Sequence, residues 1–203
     1  MSNLTKFSLL KEILDKTETE HYYDEYEIIE LLLKNKIINP NSIMNDMRKT
    51  PLLMHIILNF PMYSPEICEY FISNGANVNM TDKYGVTLLM ACKYRYCSFF
   101  DFDTTDDTER VLRDSKEIAK MLIYNGINIH TKTIFGSDIF QMYNQYFPSD
   151  EFNKFISDFY NKYINTIFKH IDLPEDISNT QIRKYLFSKR KHKKRINRKL
   201  FRQ

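Results

Sequence analysis

Phe71-Ile72-Ser73-Asn74-Gly75-Ala76-Asn77-Val78-Asn79-Met80-Thr81-Asp82-Lys83-Tyr84-Gly85-Val86-Thr87-Leu88-Leu89-Met90-Ala91 joins two apolar segments through a polar one. Its first residues read as the end of an apolar helix. Gly75 supplies the left-handed backbone that commonly follows such a helix. An extended polar hairpin is expected next. Gly85 suits the turn ahead of a second apolar helix, which Thr87 can cap through its hydroxyl.

The unit recurs downstream. Ile123-Tyr124-Asn125-Gly126-Ile127-Asn128-Ile129-His130 precedes Thr133-Ile134-Phe135-Gly136-Ser137-Asp138-Ile139-Phe140. The chain holds only four glycines, at 75, 85, 126 and 136, and they form two pairs of equal spacing. A repeat of this kind fixes the architecture before any single element is assigned.

The helix-helix-Gly75-Ala76-Asn77-Val78-Asn79-hairpin order, followed by Asp82-Lys83-Tyr84-Gly85-Val86-Thr87-Leu88-Leu89, resembles an ankyrin repeat. The degeneracy of the repeats is similar to that of ankyrin proteins from large DNA viruses or protists. The resemblance covers roughly residues 5–160 and is strongest at 46–91 and 116–140. The family's unit is about 33 residues long, so the interval from Gly75 to Gly126 carries about 18 residues more than one unit. These are placed at 94–115, a polar, acidic stretch read as an aperiodic, solvated loop inside the third repeat, dispensable for folding.

Around this centre the remaining units are weaker. Residues 1–41 read as a first repeat, in which Ile28, Ile29, Leu31, Leu32 and Leu33 form the second helix and Lys36 stands where Gly75 would. Residues 42–79 hold the Thr50-Pro51-Leu52 motif, with Arg48 read as the replacement for the turn glycine and Pro51 in the first helical turn. The fourth unit begins at His130, and Phe152, Phe155, Ile156 and Phe159 supply its second helix. The expected fold is therefore all-α: a solenoid of about four helix-turn-helix units with short β-hairpins. Residues 1–170 form the repeat domain, and 171–203 form a terminal helix and a basic tail.

Charge divides the chain in the same place. From Gln181 onward there are eleven Lys/Arg and no Asp/Glu, leaving 18 Lys/Arg against 26 Asp/Glu, or −8, for the rest. Lys189, Arg190, Lys191, Lys193, Lys194 and Arg195 surround His192 in one basic run. Three uses fit it: a solvated extension, a nuclear-import signal, or a contact to nucleic acid or acidic lipid through phosphate charge. Extension with import is placed first, because the tail has few aromatics on which bases could stack. Leu173-Pro174-Glu175-Asp176-Ile177 resembles the opening of an F-box, which would recruit a ubiquitin-ligase adaptor through residues 171–187. The apolar spacing that follows is one residue off, so a plain linker and helix is preferred.

No set of nucleophile, base and orienting group can be assembled, so no enzyme activity is expected. His21, His55, His130, His170 and His192 share no metal-ligand spacing with each other or with Cys68, Cys92 and Cys97. The acidic 101–109 stretch lacks the glycine of a calcium loop. No metal or cofactor is expected. The cysteines read as reduced, buried thiols of an intracellular protein, cytoplasmic or nuclear. No leader sequence is read at the start, and the apolar run 51–60 is too short to span a bilayer.

The ankyrin resemblance implies a non-catalytic, monomeric module that binds one or more partner proteins. The residues flanking the turn glycine and ending the first helix would face the partner. By position these are Asp46, Met47 and Lys49; Lys83, Tyr84, Val86, Lys93 and Tyr94; and Ile134, Phe135 and Ser137.

Overall fold

In a computed structural model, the structure describes residues 29, 32–59, 64–100, 106–142 and 150–169. The described chain is mainly helical, with almost no strand. Residues 32–34 are helical. They are followed by α1 (Leu52–Asn59), α2 (Ser64–Ser73), α3 (Leu88–Phe100), α4 (Asp106–Tyr124) and α5 (Asp150–Lys169). The first compact unit closes at Ile156, inside α5, and Ser157 opens the second. In the second unit the helix continues to Lys169, and the Thr166 hydroxyl donates to the Lys162 carbonyl at 2.8 Å. The first repeat before residue 29, the segment 171–187 and the basic tail lie outside the described residues.

α1 is only eight residues long, too short to persist alone in water. Five of its residues, Leu52, Leu53, Met54, Ile56 and Ile57, are buried, and burial of each such side chain contributes about 1.5–3 kcal/mol. α1 packs on α2 and α3 on α4; α1 also packs on α3, and α2 on α4. Two helix pairs are therefore stacked side by side. The core between them is built from Phe71 and Ile67 of α2, Leu88 to Cys92 of α3, and Ile118, Ala119 and Leu122 of α4.

Each pair ends in the same way. Gly75 has φ +93°, the Ala76 N–H reaches the Phe71 carbonyl at 2.9 Å, and the Gly75 N–H reaches Ile72 at 3.1 Å. Gly126 repeats the arrangement through Ile127 to Leu122 and Gly126 to Ile123. These crossed bonds occupy the last carbonyls of the helix. Lys36, standing where the other units have glycine, keeps the pattern: φ is +55°, with Ile37 bonded to Leu32 at 2.8 Å and Lys36 to Leu33 at 2.9 Å. The backbone bonds hold a lysine where glycine is cheaper.

Asparagines tie one turn to the next. Asn39, Asn77 and Asn128 each accept, on the side-chain oxygen, the N–H two residues ahead, at 2.9, 3.2 and 3.0 Å. The residue two positions on forms the brace. The Asn41 amide donates to the Gly75 carbonyl at 3.1 Å and accepts from the Asn77 N–H at 2.6 Å. Asn79 does the same to Gly126 and Asn128, at 3.2 and 2.7 Å. His130 stands at this position in the last described turn. The unit thus repeats in hydrogen bonds as well as in residue types.

Two expectations need correction. The β-hairpins reduce to isolated bridges, Ile43 with Pro51 and Thr81 with Thr87. The stretch 94–115 is not a solvated loop, because α3 runs on to Phe100 and α4 begins at Asp106. Arg95, Tyr96, Cys97, Val111 and Ser115 are buried. The acids that suggested a loop, Asp106, Asp107 and Glu109, occupy the first turn of α4, where negative charge complements the helix dipole. Trimming this stretch would remove core, so it is not dispensable. The side chains of Phe99, Phe100 and Phe102 lie outside the described residues.

The buried polar groups of the two long helices are accommodated locally. Asp114 lies 3.8 Å from Arg110 and 3.7 Å from Arg113. Burial pushes its carboxyl above the usual range while the charges of Arg95, Arg113 and Arg110 pull it back. All three cysteines are buried thiols outside any disulfide, and burial pushes the Cys92 thiol up to about 12. Such thiols are unreactive at neutral pH.

Candidate protein-binding surface

Three loops lead into or follow the helix pairs and form a row. Each is closed by one backbone bond: Met44 N–H to Thr50 at 2.7 Å, Asp82 to Val86 at 3.1 Å, and Thr133 to Ser137 at 2.9 Å. Each also contains a tight turn, with Lys49 bonded to Asp46, Gly85 to Asp82, and Gly136 to Thr133. The positive φ falls on the same turn residue each time, Lys49 at +55°, Gly85 at +77° and Gly136 at +82°. In the 42–79 unit the glycine's place is therefore taken by Lys49, one residue beyond the expected Arg48. Pro51 lies just before α1, and its carbonyl accepts the His55 N–H at 3.0 Å. Thr87 caps α3 as expected, accepting the Met90 N–H at 3.2 Å.

The loops are joined along the row. Lys83 N–H donates to the Arg48 carbonyl and Ile134 N–H to the Tyr84 carbonyl, both at 2.9 Å. Arg48 also reaches across to Asp82, with Nε at 3.1 Å and a terminal guanidinium nitrogen at 2.7 Å from Oδ2. The Asp82 side chain is fully buried. Its other oxygen accepts from the Tyr84 and Val86 N–H groups, each at 2.9 Å. A buried carboxylate satisfied on both oxygens in this way is expensive to disturb. Asp46 does a smaller version of the same work, accepting from the Thr50 N–H at 2.9 Å. Burial raises its affinity for a proton, but the hydrogen bonds from Thr50, Lys49 and Arg48 prevail and hold it below the usual carboxylate range.

An aromatic and cationic strip lies on these loops. The Lys83 ammonium sits 4.9 Å from the centre of the Tyr84 ring, and the Arg48 guanidinium carbon 6.0 Å. The Phe135 ring stacks on Tyr84 with centroids 6.4 Å apart and planes 22° from parallel. Met47 is 86% exposed, Phe135 78% and Ile134 64%. Large apolar side chains held out on ordered backbone are the composition expected of an interface core.

Of the eleven residues placed on the binding face by sequence, Asp46, Met47, Lys49, Lys83, Tyr94, Ile134 and Phe135 are exposed, and Tyr84 and Ser137 are half-buried. Two are misplaced. Val86 is buried, because it stands between the loop closure and the cap of α3 and turns inward with the helix start. Lys93 is wholly buried, and its Nζ donates to the Ile139 carbonyl at 2.9 Å. Burial draws its pKa down to about 8, against the attraction of the Asp138 and Asp150 carboxylates. It is a strut between α3 and the segment after the last loop. Tyr94, on the second turn of α3, is exposed.

Arg48 and Asp82 are the strip residues that sequence reasoning missed as a pair. Asp82 lay inside the quoted motif, but its partner sits 34 positions away. A second surface feature, the shallow groove of α4 and the start of α5, has its cations committed: Lys116 pairs with Glu151 at 2.6 Å and Lys120 with Glu117 at 2.5 Å. Among the described residues no group of three or more His, Cys, Asp or Glu could hold a metal ion, and no helix is long and apolar enough to cross a membrane. No protein-family model matches the chain, and no curated protein matches it.

Proposed function

We propose that the chain is an ankyrin-type repeat stack that works as a non-catalytic, intracellular binding module. Its partner is a protein, held on the loop row and on the exposed Tyr94 of α3. The repeat assignment is supported by the recurrence of the left-handed helix stop, the asparagine brace and the closed loop in successive units. The observation that carries the binding role is the exposure of Met47, Ile134 and Phe135 on loops whose backbones are cross-bonded. Exposed apolar side chains on a rigid support lose little entropy on binding and commonly anchor an interface.

The test is crosslinking in extract of the native source, with a photoreactive phenylalanine analogue at Phe135 in one variant and at Glu69, exposed on α2, in another. Discrete protein adducts from position 135 and none from 69 are expected. Adducts equal at both positions, or at 69 alone, would overturn the tip-binding role.

A further inference from the structure

Charge is sorted over the first unit. Its exposed acids lie mainly on helices: Glu66 and Glu69 on α2, Asp106, Asp107 and Glu109 at the start of α4, Asp150 and Glu151 at the start of α5. The loop row has the opposite sign. It exposes Arg48, Lys49, Lys83 and Lys132 against the single exposed acid Asp46. The Asp82 carboxylate is buried and occupied by Arg48 and two loop amides. Lys83 and Lys132 have no acidic partner among the described residues, whereas the helix cations Lys116 and Lys120 do.

The backbone series along the row also ends open. Arg48 offers its carbonyl to Lys83, and Tyr84 offers its carbonyl to Ile134. The next acceptor in the series is the carbonyl of Phe135, and none of the described residues donates to it. It stands beside the two exposed apolar side chains of the end loop. An unfilled carbonyl, flanking apolar groups and uncompensated cations together fit an extended acidic chain, since strand-like addition draws affinity from the backbone and selectivity from alternate side chains.

On the basis of the tip-binding reading above, we infer that the end loop receives an extended acidic segment of a partner protein. A backbone N–H of that segment donates to the Phe135 carbonyl, its apolar side chains lie on Ile134 and Phe135, and its carboxylates face Lys83 and Lys132. Neither the basic tail nor the acidic stretch after α3 supplies it. The tail from residue 181 is basic, with eleven Lys/Arg and no acid. The acidic stretch after α3 starts at the far end of a 13-residue helix, about 20 Å from the loop row at the helical rise per residue.

The test uses the full chain and fluorescence anisotropy with a labelled peptide that alternates Glu with Leu and Phe. Two further peptides carry Gln or Lys in place of Glu. Binding of the Glu peptide is expected, with both other peptides at least about tenfold weaker and with affinity falling as salt is raised. Lys83→Glu combined with Lys132→Glu should weaken it at least about tenfold, with helical content unchanged by circular dichroism. Equal affinity for the three peptides, or indifference to the charge reversal, overturns the acidic class. If Phe135→Ser still weakens binding in that case, the tip reading survives. Indifference to both Phe135→Ser and Ile134→Ser removes the site from the loops and rejects both readings. Absence of peptide binding rejects the inference alone, because crosslinking at Phe135 then decides the tip reading by itself. Self-association that is lost in Phe135→Ser on sedimentation assigns the surface to a second copy and also rejects it.

Discussion

The middle loop, Asp82 to Val86, and the end loop, Thr133 to Ser137, have matching closure and turn bonds but different surroundings. In the middle loop a buried aspartate binds Arg48 of one neighbour, and Gly85 presses on the other. A Cβ at Gly85 would lie 3.0 Å from the Thr133 Cα, 3.1 Å from the Lys132 carbonyl oxygen and 3.3 Å from the Ile134 nitrogen. In the end loop Thr133 takes the aspartate's place, and its buried hydroxyl has no hydrogen-bond partner. A Cβ at Gly136 would meet nothing within 4 Å. One loop is therefore locked from two sides and the other from one. The one-sided loop is also where Ile134 and Phe135 stand exposed, so the difference teaches where the stack has surface to offer.

The largest effect should come from Gly85. Alanine there incurs the left-handed penalty of about 1–2 kcal/mol and must also displace backbone, so a loss of about 3 kcal/mol or more is expected. Gly136→Ala carries the backbone penalty alone, about 1–2 kcal/mol. Denaturant midpoints measure both, and equal losses would break the distinction between the loops. The smallest effect sharpens it from the other side. Thr133→Val removes a buried, unpartnered hydroxyl at nearly constant shape, and a gain of about 1 kcal/mol is expected. Destabilisation by Thr133→Val would mean that the hydroxyl is in use and the end loop is locked like the middle one.

The helix stops at Gly75 and Gly126, and the cap at Thr87, were legible because glycine and threonine at those offsets have local reasons to be there. Lys36 and Lys49 were not, since neither residue type prefers a positive φ. Bonds to neighbouring carbonyls impose that conformation, and nothing local announces them. The stretch 94–115 was misread because its acids suggested solvent. The spacing of Val111, Ser115, Ile118, Ala119 and Leu122, all buried on α4, already had helical period and was the signal to weigh against them. Lys93 misled for another reason. Its place at the end of the first helix, where the resemblance sets partner-facing residues, suggested exposure, while the carbonyl that accepts its proton lies 46 positions away at Ile139. Exposure of Met47, Ile134 and Phe135 followed correctly from their place beside the turns, because tight turns project their central side chains outward.

The exposed loops form one cross-bonded row rather than separate flexible tips, and amide hydrogen exchange distinguishes the two. The Lys83 and Ile134 amides donate to carbonyls of the preceding loop, whereas those of Lys132 and Phe135 have no described acceptor. Lys83 and Ile134 are expected to exchange at least about tenfold more slowly than Lys132 and Phe135. Equal, fast exchange at all four positions would contradict it.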